Sequence, residues 1–251
     1  MSEHVYALAK QHHSVRKFKS KAIDREVIRK LIEAGQMAST SSFLQTTSVI
    51  GVESLDKKEA LKEVSGQPYV VENGYLLVFV LDYHRHHLIS EKRDAQLEGS
   101  FESAEGLLVG TVDAALMAQN IALTAEDMGY GIVYLGSLRN DVPRVREILG
   151  LPEFTFPLFG MAIGEPVDDE NGTPKPRLPF EHVFHVDGYN TDDTQLEAQL
   201  EDYDETVSNY YNARTHGERT ETWSEQITQF MSSKQRLEML NWLQMSGFNK
   251  K

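Results

Sequence analysis

The stretch from Ser103 to Met128 constrains the fold more than any other part of this chain, because it favours one long helix. It is rich in Ala, Leu and Met, and Gly129 follows at its end, where glycine commonly stops a helix. The helical spacing of its larger apolar residues predicts a long buried stripe. The residues of this predicted stripe are Leu108, Val112, Ala115, Leu116 and Ile121.

Strand signals stand on both sides of this helix. Tyr75 to Leu81 is a continuous apolar run of strand length, which predicts burial on both faces. The other predicted strands are Ser48–Val52, Ile132–Leu135 and Leu158–Ile163. The other predicted helices are Val5–Gln11, Asp24–Gly35, Leu55–Val64 and Pro143–Leu149, the last with Asp141 as its N-cap. Because helices and strands alternate, the sequence indicates an α/β-type three-layer core.

Composition excludes several classes of protein. The chain has 251 residues, which predicts one large domain or one domain with an extension. It contains no cysteine, which excludes disulfides, thiolate metal sites and cysteine catalysis. Lys and Arg number 25 against 38 Asp and Glu, and the net charge of −13 argues against a general nucleic-acid binder.

Nothing in the sequence predicts a membrane or secretory protein. The uncharged, mostly apolar stretch Asn73–Leu81 is far shorter than the roughly 20 residues that a membrane span needs. The first residues, Met1–His4, have neither the basic nor the apolar region of a secretory signal. We therefore expect a soluble, cytoplasmic protein with no membrane partner.

The chain changes character towards its C-terminus, and we predict a core of residues 1–189 followed by a helical extension of residues 190–251. Gly164–Pro179 contains four prolines, which predicts a rigid surface loop. Asn190–Thr206 then carries seven acids and no base. Apolar residues recur there at helical spacing, at Leu196, Leu200, Tyr203 and Val207. We expect this extension to pack on a partner subunit or cover a site, and a loose solvated arm is the alternative.

Several common catalytic motifs are absent from the sequence. It has no Gly-x-Ser-x-Gly elbow, no phosphate-binding Gly-x-x-x-x-Gly-Lys-Ser/Thr loop and no His-Glu-x-x-His. Gly129, Gly131 and Gly136 have the wrong spacing for a dinucleotide fingerprint, so we interpret the first two as a helix stop and a turn. The clusters His84–His87 and His182–His185 predict solvated surface segments rather than a metal site.

Three distant segments carry groups that suit a phosphate. His12–Arg16 is an extended segment on which His12, Ser14 and Arg16 can face one way. Ser39–Gln45 brings four hydroxyls, an aromatic ring and an amide directly after a helix, and Lys175–Arg177 holds two cations about a proline. Each segment alone is an ordinary charged or turn segment, but together they favour a cofactor that bears a phosphate.

Five ordered motifs resemble the flavin reductase/NADPH nitroreductase family, the larger type of oxygen-insensitive FMN nitroreductases. The resemblance is closest to the NADPH-dependent oxidoreductases of Gram-positive bacteria and covers essentially the whole chain. The motifs are His12–Phe18, Ser41–Gln45, Gly66–Gln67, Gly136–Asn140 and Lys175–Pro179, with Thr222–Ser224 matching in the tail. This resemblance implies an α+β, three-layer α/β/α flavin fold. It also implies an interlocked homodimer whose C-terminal helices wrap the partner.

The resemblance implies an FMN-binding role for residues of all five motifs. The FMN phosphate would be held by His12, Ser14, Lys175 and Arg177. Arg16 and Gln67 would face the pyrimidine edge of the flavin, where negative charge gathers on reduction. Ser39, Ser41, Phe43 and Gln45 would line the ring or come from the other subunit, and Tyr134, Leu135, Gly136 and Ser137 would place backbone against it. His13, where the family often has Arg, and Ser137, where it often has Gly, depart from the pattern, and His13 could make the phosphate contact pH-sensitive.

The resemblance also implies NADPH as the hydride donor. The cations matched to NADPH or substrate are Arg139, Arg214, Arg219 and Arg236, and a 2′-phosphate needs such bases. Solvated surface cations are the alternative for Arg214 and Arg219. No protein group is expected to act as acid, base or nucleophile and no metal is expected, since FMN carries the chemistry.

The predicted activity is therefore a ping-pong oxidoreductase that moves hydride from NADPH through N5 of FMN to small acceptors. Free flavins, nitroaromatics and quinones are the expected acceptors. A flavin-binding carrier or sensor without turnover, and an acidic dimeric scaffold without flavin, are the two alternatives. The colour of the purified protein separates the scaffold from the other two, and NADPH oxidation separates the enzyme from the carrier.

Overall fold

The computed structural model of this protein describes residues 3–168, 172–233 and 236–250. The chain forms two compact units, one of residues 1–171 and 236–251 and one of residues 172–235. The division after residue 189 drawn from the sequence stays a prediction.

The first unit is built on one antiparallel sheet. Its strands are β1 (Thr47–Val52), β2 (Tyr75–Asp82), β3 (Gly131–Leu135) and β4 (Thr155–Gly164). Their order across the sheet is β1-β2-β4-β3, and each neighbouring pair is antiparallel. The predicted strands are confirmed, and the antiparallel pairing makes the fold α+β.

Eight helices of the first unit surround this sheet in the described residues. They are α1 (His4–Gln11), α2 (Arg25–Gln36), α3 (Leu55–Ser65), α4 (His84–Arg93), α5 (Glu98–Phe101), α6 (Ala104–Asp127), α7 (Val142–Leu149) and α11 (Met239–Met245). The predicted cap of α7 is confirmed, since the Asp141 side chain accepts a hydrogen bond from the Arg144 amide at 3.0 Å.

Strand β2 lies at the centre of the core and is buried on both faces, as its apolar run predicts. Leu77 and Phe79 point to one face, where they pack in a cluster with Leu31 of α2 and Ile121 of α6. Alternate residues of a strand point to opposite faces, so the neighbours of these two side chains face the other way.

The second face of the sheet is covered by two other helices. Leu76 and Val78 of β2 share a cluster there with Leu61 of α3 and Val145 of α7. A helical layer therefore lies on each side of the sheet, and the predicted three-layer core is confirmed.

The predicted buried stripe of α6 is confirmed for Ile121 and wrong for its other four residues, since Ala115 is exposed as well. Leu108, Val112 and Leu116 are 61%, 54% and 44% exposed in the single chain. The buried face is made mainly of small residues, namely Gly106, Gly110, Ala114, Ala118, Ala122 and Ala125, together with Asp113 and Ile121. Small residues let the helix approach the sheet closely, because a Cβ at Gly110 would overlap the Leu81 side chain. The pattern of apolar residues shows a helix with two apolar faces, and only packing decides which one this unit covers.

Helix α6 is also the one helix of the described residues that is long and apolar enough to cross a membrane by length and composition. Its most apolar window has a mean hydropathy of 1.4, and 39% of that window is buried. The helix packs in the core against α2 and the sheet, and the core helix of a soluble protein passes the same test.

Two glycines have roles that differ from those predicted. Gly35 does not end α2 but lies inside its last turn, where a Cβ would be 2.7 Å from Ile121 of α6. Gly131 is not in a turn but opens β3, where a Cβ would be 2.6 Å from the Val15 Cβ. Both positions need glycine because another element packs directly against the backbone.

The second unit contains three helices within the described residues, α8 (Phe180–Val183), α9 (Asp193–Arg214) and α10 (Trp223–Ser232). The predicted helix through the acidic stretch is confirmed as α9. It buries Tyr203, Val207 and Tyr211, and the Tyr203 ring packs against Trp223 with centroids 5.7 Å apart.

Candidate functional site

Within the first unit, the segment His12–Arg16 packs against β3 and the end of α6. The Val15 amide donates to the Ile132 carbonyl at 2.9 Å, and the Val15 side chain is buried against Gly131. At its start, His12 Nδ1 lies 2.5 Å from Glu126 Oε1 in the last turn of α6. Because alternate side chains of an extended segment point in opposite directions, Ser14 and Arg16 point away from the buried Val15.

The polar groups of this segment differ in exposure. His12, His13 and Ser14 are partly buried, and Arg16 is exposed. His13 Nδ1 lies 3.1 Å from the Gln11 carbonyl, and the Arg16 guanidinium donates to the Ser14 carbonyl at 3.3 Å. The segment thus presents two imidazoles, a hydroxyl and a cation, which are groups that can donate hydrogen bonds to a phosphate.

The end of β3 carries the predicted backbone motif. Tyr134 packs edge-on against Phe159 at 5.8 Å, and burial, with a smaller contribution from the Glu126 charge, raises the pKa of Tyr134 to about 12. Leu135 is buried, and a short helical turn, Gly136–Asn140, follows it. Ser137 Oγ lies 2.6 Å from Ser65 Oγ at the end of α3.

The turn before Gln67 lies close to this region. Gly66 ends α3 with a φ of +69° and its amide donates to the Lys62 carbonyl at 2.7 Å. Glycine tolerates this left-handed conformation. Because Ser65 contacts Ser137, the structure brings the Gly66–Gln67 motif and the Gly136–Asn140 motif together.

Arg139 and Arg236 form a second cationic region in the same unit. The Arg139 guanidinium donates to the Leu158 carbonyl. Burial, and then the like charge of Arg236, lower the pKa of Arg139. Arg236 donates twice to the Asn140 side-chain oxygen, at 3.0 and 2.9 Å. The two arginines predicted for NADPH or substrate therefore lie near each other, although Arg139 is turned towards the protein.

The loop Ser39–Gln45 is attached to the middle of α6. Asp113, which is 3% exposed, accepts hydrogen bonds from the Ser41 amide at 3.0 Å and the Thr46 hydroxyl at 3.4 Å. The loop beyond this anchor has left-handed backbone at three residues, with φ of 48° at Ser42, 58° at Phe43 and 54° at Gln45.

The two parts of the predicted flavin site in this unit are far apart along α6. The loop is anchored at Asp113, whereas His12 is attached at Glu126 in the last turn of the same helix. Thirteen residues of helix rise ~20 Å. One chain therefore does not bring Ser41 and His12 to the same point. A partly open pocket lies at the loop, lined by residues that include Thr40, Gln45, Arg85 and Asp113.

In the second unit, the predicted cations gather around two adjacent tyrosines of α9. Lys175 lies 5.8 Å and Arg219 4.3 Å from the centre of the buried Tyr211 ring. Arg214 lies 6.0 Å from the Tyr210 ring and donates to its hydroxyl at 3.1 Å. Cations over aromatic faces are held in place by the charge distribution of the ring. The structure thus gathers Lys175, Arg214 and Arg219, which the resemblance assigns to two different ligands.

Arg177 lies next to this group. Its guanidinium donates to the Lys175 carbonyl at 2.8 Å, and the Tyr203 hydroxyl donates to the Pro176 carbonyl at 3.2 Å. Lys175 and Arg177 are exposed, so their charges are accessible to an anion.

The histidine cluster of the first unit lies on α4 as a surface helix. His86 Nε2 is 2.9 Å from the Leu44 carbonyl, and the His87 ring packs on Phe154 at 4.7 Å. Within residues 3–168, 172–233 and 236–250, no three His, Asp or Glu side chains are grouped in a way that could hold a metal ion.

Sequence reasoning missed two carboxylates, Asp113 and Glu126, that anchor the predicted segments. Each has a signal in the sequence. Asp113 is the one charged residue between Gly106 and Ala125, and a lone acid within an apolar helix must find partners. Glu126 and Asp127 place two acids in the last helical turn of α6, where the helix dipole disfavours them.

Known protein families and relatives match this chain over essentially its whole length. The nitroreductase family model matches residues 9–165, and the model of the C-terminal domain of the nitroreductase family matches residues 175–251. An NADPH-dependent oxidoreductase of Staphylococcus saprophyticus is 67% identical over 251 residues and covers 100% of both chains. One from Staphylococcus aureus is 64% identical over 247 residues, with 98% of each chain covered.

Solved structures with this fold are also similar to the chain. NfrA1 of B. megaterium is 41% identical with a TM-score of 0.95, covering 98% of this chain and 99% of that chain. The NADPH:FMN oxidoreductase of Vibrio harveyi, solved in complex with NAD+, is 36% identical with a TM-score of 0.86, covering 98% and 99%.

Proposed function

The chain belongs to the nitroreductase family and is an NADPH-dependent flavin oxidoreductase, and on this premise we propose that it binds FMN and reduces small acceptors by a ping-pong mechanism. The proposed acceptors are free flavins, nitroaromatics and quinones. One observation carries the proposal: the donors of His12–Arg16 are held at the start of β3, the strand that leads into Tyr134–Ser137. We propose that the enzyme acts in the cytoplasm.

The donor set of the described residues fits FMN. His12, His13 and Ser14 are proposed to bind the phosphate in the first unit, and Lys175 and Arg177 supply exposed cations in the second. Charged donors form short, strong hydrogen bonds to phosphate oxygens. The phosphate monoester of FMN, rather than the uncharged ribityl end of riboflavin, is the ligand that uses these cations.

Bound FMN would supply the hydride chemistry, accepting hydride from NADPH and passing it to the second substrate. The chain's own contribution is orientation and charge. Arg16 and Gln67 are proposed to lie at the pyrimidine edge, where a fixed cation stabilises the negative charge of the reduced ring. The backbone of Tyr134, Leu135, Gly136 and Ser137 is proposed to lie against the ring.

NADPH is proposed to be recognised by the remaining arginines. Arg214 and Arg219 are held over Tyr210 and Tyr211, and Arg139 lies near Arg236. Guanidinium groups held in fixed positions suit a 2′-phosphate, which they can bind through two parallel hydrogen bonds. These residues are proposed to set the preference for NADPH over NADH.

A homodimer is proposed because one chain leaves part of the site incomplete. Ser39, Ser41, Phe43 and Gln45 are anchored ~20 Å along α6 from the attachment of His12, which favours their arrival at the flavin from the other subunit. Phe43 is 80% exposed, and the outward face of α6 carries Leu108, Val112 and Leu116. A second copy of the chain would cover these apolar side chains.

The absorbance spectrum of the purified protein, followed by anaerobic addition of NADPH, tests this function. Yellow protein that bleaches with NADPH, and less readily with NADH, is the expected result. Protein that stays colourless after incubation with FMN and passage through a desalting column would contradict the proposal.

Two variants test the assignment of the cations. Lys175→Ala/Arg177→Ala should yield largely apo protein, whereas stoichiometric FMN in this variant would place the phosphate elsewhere. Arg214→Ala should raise the KM for NADPH much more than the KM for NADH. Equal effects on the two would remove Arg214 from 2′-phosphate recognition.

A further inference from the structure

The contact between His12 and Glu126 joins parts of the chain that are 114 residues apart. His12 Nδ1 lies 2.5 Å from Glu126 Oε1, and the two side chains are 27% and 12% exposed. An ionised carboxylate only accepts hydrogen bonds, so Nδ1 carries a proton in this pair. Nε2, on the far side of the ring, is left for another partner.

The position of Glu126 in α6 does not stabilise the helix through its charge. It lies in the last turn of α6, which contains Glu126 and Asp127 and no base. Acids at a helix C-terminus interact unfavourably with the helix dipole. Its second oxygen, Oε2, is buried and accepts no hydrogen bond from the described part of the chain. Among the described residues, the one hydrogen bond of this carboxylate is therefore the one to His12.

The neighbouring acid provides an internal comparison. Asp127 Oδ1 lies 2.5 Å from His4 Nε2, but these side chains are 52% and 65% exposed. The two acids of one helical turn thus each contact a histidine of the N-terminal segment. Only the Glu126 pair is mostly buried. In a buried environment a hydrogen bond to a charged group is strong, and its loss is costly.

The charge of Glu126 also acts on Tyr134 in β3. After burial itself, its charge is the second cause that raises the pKa of Tyr134 to about 12. The carboxylate contacts the segment proposed to bind the FMN phosphate, at His12. This contact connects Glu126 to the proposed site.

We propose that Glu126 is a positioning residue that orients the His12 ring and holds its Nδ1 proton, so that Nε2 is presented to the FMN phosphate. In the FMN complex His12 is then an imidazolium that donates Nδ1–H to Glu126 and Nε2–H to the phosphate. A positive ring between two anions satisfies both of its donors. This inference rests on the proposed function, since it takes the anion at His12 to be the FMN phosphate.

The test compares Glu126→Gln, Glu126→Ala, His12→Ala and the double variant Glu126→Ala/His12→Ala with the wild-type protein. FMN is removed and its Kd is measured by the quenching of flavin fluorescence on rebinding. Glu126→Ala should weaken binding about tenfold or more, as the loss of a partner that orients a ligating histidine does. Glu126→Gln keeps an acceptor oxygen and should lose less. Asp127→Asn, which removes the charge of the exposed pair, is the matched control and should bind FMN as the wild type does.

The double variant separates positioning from general destabilisation. Because Glu126 acts through His12, the double variant should bind FMN no more weakly than His12→Ala alone. Losses that add in the double variant would overturn the proposal, as would wild-type affinity in Glu126→Ala. If Glu126→Ala does not fold, the comparison is made with Glu126→Gln, for which an unchanged Kd overturns the proposal.

Nitrogen-15 NMR of the ring nitrogens supplies a readout that does not depend on activity. The His12 signal is assigned by its loss in His12→Ala. In wild-type apo protein it should show a protonated Nδ1, and on addition of FMN both ring nitrogens should be protonated. In Glu126→Ala the preference for a protonated Nδ1 should disappear. Wild-type protein that binds no FMN contradicts the proposed function instead, whereas an unprotonated Nδ1 in the apo protein contradicts the role of Glu126 alone.

Discussion

The carboxylate of Asp113 accepts a hydrogen bond from the backbone amide of Ser41 at 3.0 Å, across 72 residues of chain. A buried acid on a core helix thereby fixes one end of the loop that carries Ser42, Phe43 and Gln45 in left-handed backbone. Such backbone costs about 1 kcal/mol or more for each non-glycine residue. The anchor and the strained loop therefore belong together, since the loop needs fixed ends to keep this conformation.

Replacing Asp113 tests the anchor. Asp113→Ala leaves the Ser41 amide and the Thr46 hydroxyl without their acceptor and should lower the free energy of unfolding by about 1–3 kcal/mol. Hydrogen exchange of the Ser41–Gln45 amides should become faster. Asp113→Asn can still accept from Ser41 and donate to Thr46, so it should lose less. Glu105→Gln, an exposed acid on the same helix, is the control, and an Asp113→Ala loop that exchanges no faster would remove Asp113 as the anchor.

Gly131→Ala tests the packing of the His12–Arg16 segment on β3. The added methyl group would lie 2.6 Å from the Val15 Cβ, so either the segment or the strand must shift. Such overpacking costs about 1–3 kcal/mol, and the variant should lose stability and retain less FMN after purification. Adding Val15→Ala should restore part of both. A Gly131→Ala protein with wild-type stability would show that Val15 is not held against this glycine.

The outward face of α6 should decide the oligomeric state. Val112 and Leu116 are 54% and 44% exposed in one chain, so Val112→Lys/Leu116→Lys should leave the protomer folded while placing two charges in the proposed interface. Sedimentation should then show a shift from dimer to monomer, whereas Glu105→Lys on the same helix should not change the mass. A dimer that persists in the double lysine variant would exclude this face. Truncation after Tyr189 is expected to break the dimer as well, because the resemblance predicts that the C-terminal helices wrap the partner.

The Tyr134 phenol should lose its proton at a higher pH than an ordinary tyrosine does. Burial, and then the Glu126 charge, raise its pKa to about 12 from the ordinary value near 10. Because the folded state holds the phenol proton more tightly than the unfolded state, its contribution to stability is fully present below pH 10 and is lost as the pH rises towards 12. A titration followed at 295 nm should lose a late component in Tyr134→Phe. A titration curve that is unchanged in Tyr134→Phe would contradict this assignment.

Much of the fold could be predicted from local patterns in the sequence. The apolar run of β2 predicts a strand buried on both faces, and Asp141 predicts the start of α7, because period and capping depend on near neighbours. The ordered motifs predict the family for the same reason, since each motif is a short run of residues. The cations Lys175, Arg214 and Arg219 could be named from the sequence, but their gathering around Tyr210 and Tyr211 could not.

The sequence by itself determined the elements, their order and the family, because each rests on residues close together in the chain. Only the tertiary structure decided which face of α6 is covered, since both the small residues at Gly110 and Ala114 and the large ones at Leu108 and Val112 recur at helical spacing. It alone placed Asp113 beneath Ser41 and Glu126 beside His12. Such contacts depend on the path of the chain between distant residues, and no local pattern specifies that path.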